Sequence, residues 1–357
     1  MARSIRLALF ALALCIPILA APGDAAAPLG DCASEPALAD RKDVVYCEPW
    51  ESPTWFQGGW VASARVNAAP PVRADHVRLT SIEREGCLSG SCLRVQMKQF
   101  VTTGVSIHWP LKNAGLAPEQ LYMRYYMKLG PEFHTENCRL ADGKAVVTDA
   151  GGKFPGLADS RDSSDPSGQC GNGGMRGDGI NCWSHRMGFR NCSGRFCPRV
   201  PGAVLRLFGY LYFHGQEGET GNAALWDRDP WGQTTGRGKR CSNEPTNLAC
   251  AVARDAGALA REKWYGIELF IKMNTPGEPD GVIRGWIDGV PVYEKTNVIY
   301  RMPGHQNLHV RTAWLDVYKG GLYGNCKDSD LFIDQLVLAT DAPIGPHPAA
   351  PRDPAAK

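Results

Sequence analysis

The sequence predicts an all-β sandwich, and three observations predict it. Short segments of alternating apolar and polar residues recur along the chain. Glycine (40) and proline (26) punctuate them throughout, and convincing amphipathic helices are scarce. Short strands with turn signals between them build sandwiches or barrels. The clearest strand is 121–129. Leu121, Met123, Tyr125, Met127 and Leu129 share one face, while Tyr122, Arg124, Tyr126 and Lys128 share the other. Because alternate side chains point to the same side of a strand, this one turns an apolar face to the core and a polar, aromatic face outward. Segments 203–214 and 264–273 read as further strands. Residues 274–281 form a turn into a strand at 282–287, and Asp288-Gly289 is a two-residue hairpin turn suited to the twist of a sheet. Segments 308–317 and 331–339 supply two more strands.

The ends of the chain read differently. Arg3 and Arg6 precede an apolar run over residues 7–21, and Ala25, Ala26 and Ala27 follow. This order describes a secretory signal peptide over 1–27, too short in its apolar part to span a bilayer comfortably. A Pro/Ala-rich leader over 28–42 then opens a sandwich domain over 43–342, and a Pro/Ala-rich tail from 343 to 357 is expected to be disordered. No internal repeat is visible. A domain of this length is large for a sandwich, so long loops at 157–182 and 215–260, rich in Gly, Asp, Ser and Cys, hold the surplus.

The chain has 13 cysteines; setting aside Cys15 in the signal leaves 13 − 1 = 12. An even set in an exported chain reads as disulfides whose connectivity stays open. Cys87/Cys92 and Cys192/Cys197 are close enough to close small loops. The spacing is wider than a Cys-x-x-Cys zinc knuckle, and no histidine stands at ligand spacing. The compartment expected is therefore extracellular or periplasmic. Basic and acidic residues nearly balance, 39 against 37. That argues against nucleic acid or a membrane surface as partner, so an anionic substrate must be held by a local cluster. A monomer is expected.

Three short segments carry chemistry. Gly151-Gly-Lys-Phe-Pro-Gly-Leu157 is not a phosphate loop, because Val147 stands where the first glycine belongs and Phe154 replaces the Ser/Thr. Its glycines and proline instead shape a backbone around one cation, Lys153. In Trp183-Ser-His-Arg186, Ser184 and Arg186 share a strand face. In Tyr210-Leu-Tyr212 both tyrosines share a face with Arg206 and His214, and Leu205, Leu207, Leu211 and Phe213 take the other. Lys153, Arg186, Ser184, Tyr210 and Tyr212 together describe an electropositive, hydroxyl-rich patch with no acidic partner. Asp159, Asp162 and Asp165 read as a solvated polar loop in preference to a calcium loop.

The order Gly-Gly-Lys-Phe-Pro-Gly-Leu, Trp-Ser-x-Arg, Tyr-x-Tyr resembles polysaccharide lyase family 14, the alginate-lyase and related uronate-lyase group, over roughly residues 120–340. The resemblance implies a concanavalin-like β-jelly-roll sandwich with a cleft across one sheet. It places Lys153, Ser184, Arg186, Tyr210 and Tyr212 at catalytic or substrate-binding positions. We read Lys153, Arg186, Tyr210 and Tyr212 as catalytic, and Ser184 as substrate-binding together with Arg124, Tyr126, Arg206 and His214 on the polar faces of their strands. The chain departs from the family after the lysine motif, where Ala158-Asp-Ser stands in place of Tyr-Gly-Gly.

These residue types suit β-elimination from a uronate polymer such as alginate or glucuronan. Removing the C5 proton builds negative charge on the adjacent carboxylate, which an arginine fork binds bidentately. Lys153 adds charge or acts as the base, and a tyrosine takes or gives the other proton. The scheme uses no cofactor and no metal. Two alternatives follow from the same fold: a lectin-like module that binds glycan without cleaving it, and a glycoside hydrolase. The hydrolase needs two facing carboxylates, whereas Glu268 and Asp288 stand isolated.

Overall fold

The computed structural model describes residues 29–62, 72–160, 177–191, 201–215, 257–319 and 323–350. The segment read as a signal peptide, Cys192/Cys197, Asp162, Asp165 and most of the two long loops lie outside these residues. Two large sheets pack face to face as a jelly-roll sandwich. One sheet runs Leu29–Gly30, Val44–Glu48, Ser329–Ala339, Gln120–Leu129, Trp264–Lys272, Gly281–Ile287 and Val290–Val298, with Cys92–Met97 and Thr80–Glu83 attached beside Ser329–Ala339. The other runs Ala258–Ala260, Ala203–Tyr212, Cys182–Asn191, Gly152–Ser160, Thr312–Lys319, Thr103–Pro110 and Val61–Ala62. A third, three-stranded sheet contains Gly324–Asn325, Glu136–Ala141 and Lys144–Ala150.

The alternation read from the sequence decides which faces meet. Leu121, Met123, Tyr125, Met127 and Leu129 are buried in one core with Leu157, Met187, Leu207, Leu211 and Leu315 of the facing sheet. Asp288 and Gly289 both adopt positive φ, 51° and 78°, as the tight hairpin between the strands Gly281–Ile287 and Val290–Val298 demands. Residues 308–311 precede the strand Thr312–Lys319, which runs two residues beyond the segment expected. In the nine-stranded sheet, Ser329–Ala339 pairs first with Cys92–Met97 and then with Val44–Glu48. The change falls at an irregularity between Asp334 and Val337, where Gln335 has φ 52°.

Both terminal segments are part of the domain. Cys32–Cys47, Cys87–Cys92 and Cys138–Cys326 are disulfides. The first ties the leader to the nine-stranded sheet, the second closes the small loop read from its spacing, and the third spans 188 positions. Residues 343–350, expected to be disordered, lie across the outer face of the nine-stranded sheet. Ile344 and Gly345 donate their backbone N–H groups to Glu268 at 2.8 and 3.1 Å, and His347 donates to the Tyr126 hydroxyl at 2.7 Å. Arg124 donates to the Glu35 carboxylate of the leader from Nη1 and Nη2, and Nη1 also donates to the Gly345 carbonyl at 2.8 Å. The face of 121–129 expected to point at solvent is thus covered by both ends of the chain. Polar strand residues can be buried when other segments satisfy them. Deleting residues 343–357 removes these bonds, each worth about 1 kcal/mol net and more where a charge takes part. With four such bonds lost, the truncated protein should lose at least about 4 kcal/mol in denaturant unfolding, with the outer face of the other sheet undisturbed.

Candidate functional site

The outer face of the seven-stranded sheet gathers the chemistry. On the strand Gly152–Ser160, Lys153 points outward and Phe154 into the core. The register slips between Phe154 and Gly156 against both neighbours, so Pro155, which has no N–H to give a ladder, occupies the bulge. Leu157 then returns to the core. The glycines of this motif have steric work to do. A Cβ on Gly156 would lie 2.1 Å from the His185 carbonyl oxygen and 2.5 Å from the Arg186 Cα. Gly151 holds φ +146°, and a Cβ there would lie 2.5 Å from the Phe189 carbonyl oxygen. The motif shapes a backbone that lies unusually close to the strand Cys182–Asn191.

Register then aligns the other groups. Lys153 is opposite Gly188 on one side and Tyr318 on the other, and Gly156 is opposite Arg186 and Trp314. Arg186 is opposite Tyr210, and Ser184 is opposite Tyr212. Lys153, Ser184, Arg186, Tyr210 and Tyr212, scattered over sixty positions of sequence, therefore share one face. The Lys153 ammonium lies 4.7 Å from the Tyr210 ring centre and 4.4 Å from that of Tyr318. The Arg186 guanidinium lies 5.3 Å from the Tyr210 ring and 4.2 Å from the Trp314 ring. The two tyrosine hydroxyls are 2.9 Å apart, within hydrogen-bond reach of each other.

Other predicted residues fall elsewhere. Arg206 is on the same face but at the far end of its strand, opposite Arg190. His214 lies past the strand end, where its backbone N–H bonds the Ile299 carbonyl at 3.0 Å. Arg124 and Tyr126 are on the other sheet, buried beneath the terminal segments, and do not meet this face; their strand alternation was right, but the sheet that holds them faces away. Glu268 and Asp288 are also on that sheet and bond backbone N–H groups. Asp159 is buried against Arg311, with 2.8 Å between Arg311 Nε and Asp159 Oδ1, so it is not part of a solvated loop.

Sequence reading overlooked one strand of the site. Thr312–Lys319 lies beside the lysine strand and aims Trp314, Asp316 and Tyr318 into the same face; Thr103–Pro110 adds Ser106 and His108. Asp316 overturns the expectation of a patch with no acid. Arg186 Nη1 donates to Asp316 Oδ2 at 2.7 Å, and both side chains are about 3% exposed. The alternation of Trp314, Asp316 and Tyr318 was readable; that their strand adjoins Lys153 was not.

Burial sets the protonation states. Lys153, 9% exposed, is pushed down from the ordinary lysine value to about 7, by burial first and by the Arg186 charge second, with Asp316 acting the other way. His108 packs against Trp314 with the rings tilted by 39° and their centres 4.9 Å apart. Burial, assisted by Arg186, pushes it down to about 3, so it is neutral at physiological pH. The face thus holds a buried amine near its titration point, an arginine held by a carboxylate, and a pair of phenol groups.

No protein-family model matches the chain, and no curated protein does. Among solved structures, a mutant of the alginate lyase Aly36B in complex with alginate tetrasaccharide aligns with a TM-score of 0.50 at 16% identity, covering 83% of this chain and 97% of that one. The PL-14 alginate lyase from Aplysia kurodai aligns with a TM-score of 0.48 at 17% identity, covering 79% and 98%. An endo-beta-1,4-glucuronan lyase from the fungus Trichoderma reesei gives 0.36 at 11%, covering 73% and 87%. The first of these is a likeness of fold.

Proposed function

We propose that this protein is a secreted polysaccharide lyase that cleaves a uronate polymer such as alginate or glucuronan by β-elimination. The observation that carries the reading is Lys153: a buried amine near its titration point, set between two tyrosine rings and beside a buried arginine. A lysine on a solvated turn has no such setting. The neutral amine takes the C5 proton of the bound uronate. Arg186 binds the carboxylate on which charge then builds, and Asp316 keeps the guanidinium oriented. The Tyr210–Tyr212 pair gives a proton to the departing 4-O oxygen as the C4–O bond breaks and the C4–C5 double bond forms. Three disulfides among the described residues support an oxidising compartment.

The test is to mix the protein with alginate, glucuronan and other polyuronates and follow the ultraviolet absorbance of the unsaturated product. Binding with no new chromophore would support the lectin-like reading instead. The pH dependence has a definite sign. The base must be neutral, so kcat/KM should rise with pH, pass its half-maximum near pH 7, the value to which burial brings Lys153, and level off above it. A rate that falls through pH 7 would make Lys153 a fixed charge and remove it as the base.

A further inference from the structure

The sheet holds a second buried lysine that the chemistry above does not use. Lys319 follows Tyr318 and points the opposite way, into the core, with no exposure. Its ammonium donates to the His134 carbonyl at 2.6 Å and reaches the Glu136 carbonyl at 3.5 Å. It lies 5.5 Å from the ring centres of both Phe133 and Phe189. An apolar side chain would fill this space without the desolvation that an ammonium suffers. Its value must therefore lie in what its donors gather.

The segment it gathers also holds the lysine motif. Gly151 donates its N–H to the Thr135 carbonyl at 2.9 Å, and the Asn137 amide donates to the Gly151 carbonyl at 3.1 Å. Residues 134–137 thus bond Gly151, two positions before Lys153, and Lys319, one position after Tyr318. Lys319 and Gly152 are themselves cross-strand partners, as are Tyr318 and Lys153. Beneath them Phe189 stacks on Phe154 at 4.4 Å.

We propose that Lys319 is a positioning residue for Lys153: by drawing the His134 and Glu136 carbonyls together, it fixes the two strands at the spacing that sets the Lys153 amine against the Tyr318 ring. The inference rests on the lyase reading for its kinetic consequence, but the geometry can be tested without it. The titratable side chains bearing on Lys319 are Glu136, which favours its charge, and His134, whose own charge Lys319 disfavours.

The experiment compares the full chain with Lys319→Met and Lys319→Arg. In Lys319→Met, kcat should fall on the order of 100-fold with KM nearly unchanged, the scale expected when a reacting group is misplaced by about an ångström. The rising limb of the pH profile should move upward, because a displaced Lys153 regains solvent and titrates closer to an ordinary lysine. Lys319→Arg, which keeps a cation and donors, should recover part of the loss. Independently of turnover, competitive labelling with acetic anhydride, read by peptide mass spectrometry, should show the Lys153 midpoint rising in Lys319→Met. If the wild-type protein cleaves no polyuronate, the lyase reading fails while this labelling shift still decides the positioning role. A folded variant with wild-type kcat and an unmoved Lys153 midpoint overturns the proposal. So does failure of both variants to fold, since Lys319 would then serve the core in general and not the placement of Lys153.

Discussion

Lys153→Met should lower kcat about 10²- to 10⁴-fold, the contribution of a positioned general base, and leave the fold intact. The two halves of this expectation have one cause. Burial lowers the Lys153 pKa because it disfavours the charged form. With its folded pKa at about 7, below the unfolded value of 10.5, Lys153 costs stability in full below pH 7, and the cost fades as pH rises towards 10.5. A methionine of similar length removes that cost, so the variant should unfold at an equal or higher temperature while its turnover collapses. Lys153→Arg adds discrimination. Arginine stays charged and cannot take a proton, so it should be as inactive as methionine if Lys153 is the base. Substantial activity in Lys153→Arg, measured by product absorbance at saturating substrate, would show that only its charge matters.

Asp316→Ala should be the most destabilising single change at the site. It leaves the buried Arg186 guanidinium without the carboxylate 2.7 Å away. Breaking such a buried pair from one side typically costs about 3–5 kcal/mol. Denaturant unfolding measures this directly, and a loss under about 1 kcal/mol would mean that solvent reaches the pair, as at an exposed bridge. A second consequence has the opposite character to the Lys319 variants. Asp316 favours the charged form of Lys153, so its removal should lower the Lys153 pKa further. Whatever activity remains in Asp316→Ala should therefore reach its half-maximum below pH 7. Asp316→Asn, which keeps an acceptor oxygen for Arg186, should cost less stability and shift the limb in the same direction.

Much of the fold was legible because a strand with one buried face must alternate. The segment 121–129 names its core residues outright, and Asp288-Gly289 marks its hairpin because few residues accept positive φ. The motif around Lys153 was legible for a related reason: closely spaced glycines and a proline mark backbone that side chains or a regular ladder would forbid. The Tyr210 and Tyr212 pair and Ser184 with Arg186 were likewise set on common faces by period alone. Alternation does not tell which of two faces meets solvent once other segments arrive. Arg124 and Tyr126 were assigned to the site because they share the polar face of a strand, but Glu35, Gly345 and His347 come from the ends of the chain to cover them. A tail rich in Pro and Ala reads as unstructured because it has little to bury by itself; here Ile344 and the N–H groups near it find partners on a sheet already built.

What the sequence determined by itself was the set of local rules: which residues face inward, where the chain turns, and which segments carry cations and hydroxyls without a regular structural role. Tertiary structure alone decided adjacency. The strand Thr312–Lys319 lies beside Gly152–Ser160 across more than 150 positions, and this pairing introduces Asp316 to Arg186 and Tyr318 to Lys153. Local sequence is silent on such neighbours because strand order is settled by how whole sheets bury their apolar faces. The disulfide Cys138–Cys326 and the shift of Lys153 follow from the same cause. The first needs two distant segments side by side, and the second needs rings and charges from three neighbouring strands around one amine. The patch that sequence reading drew as purely electropositive is thus a buried amine beside a compensated arginine, because low-dielectric surroundings tolerate a guanidinium only with its carboxylate in place.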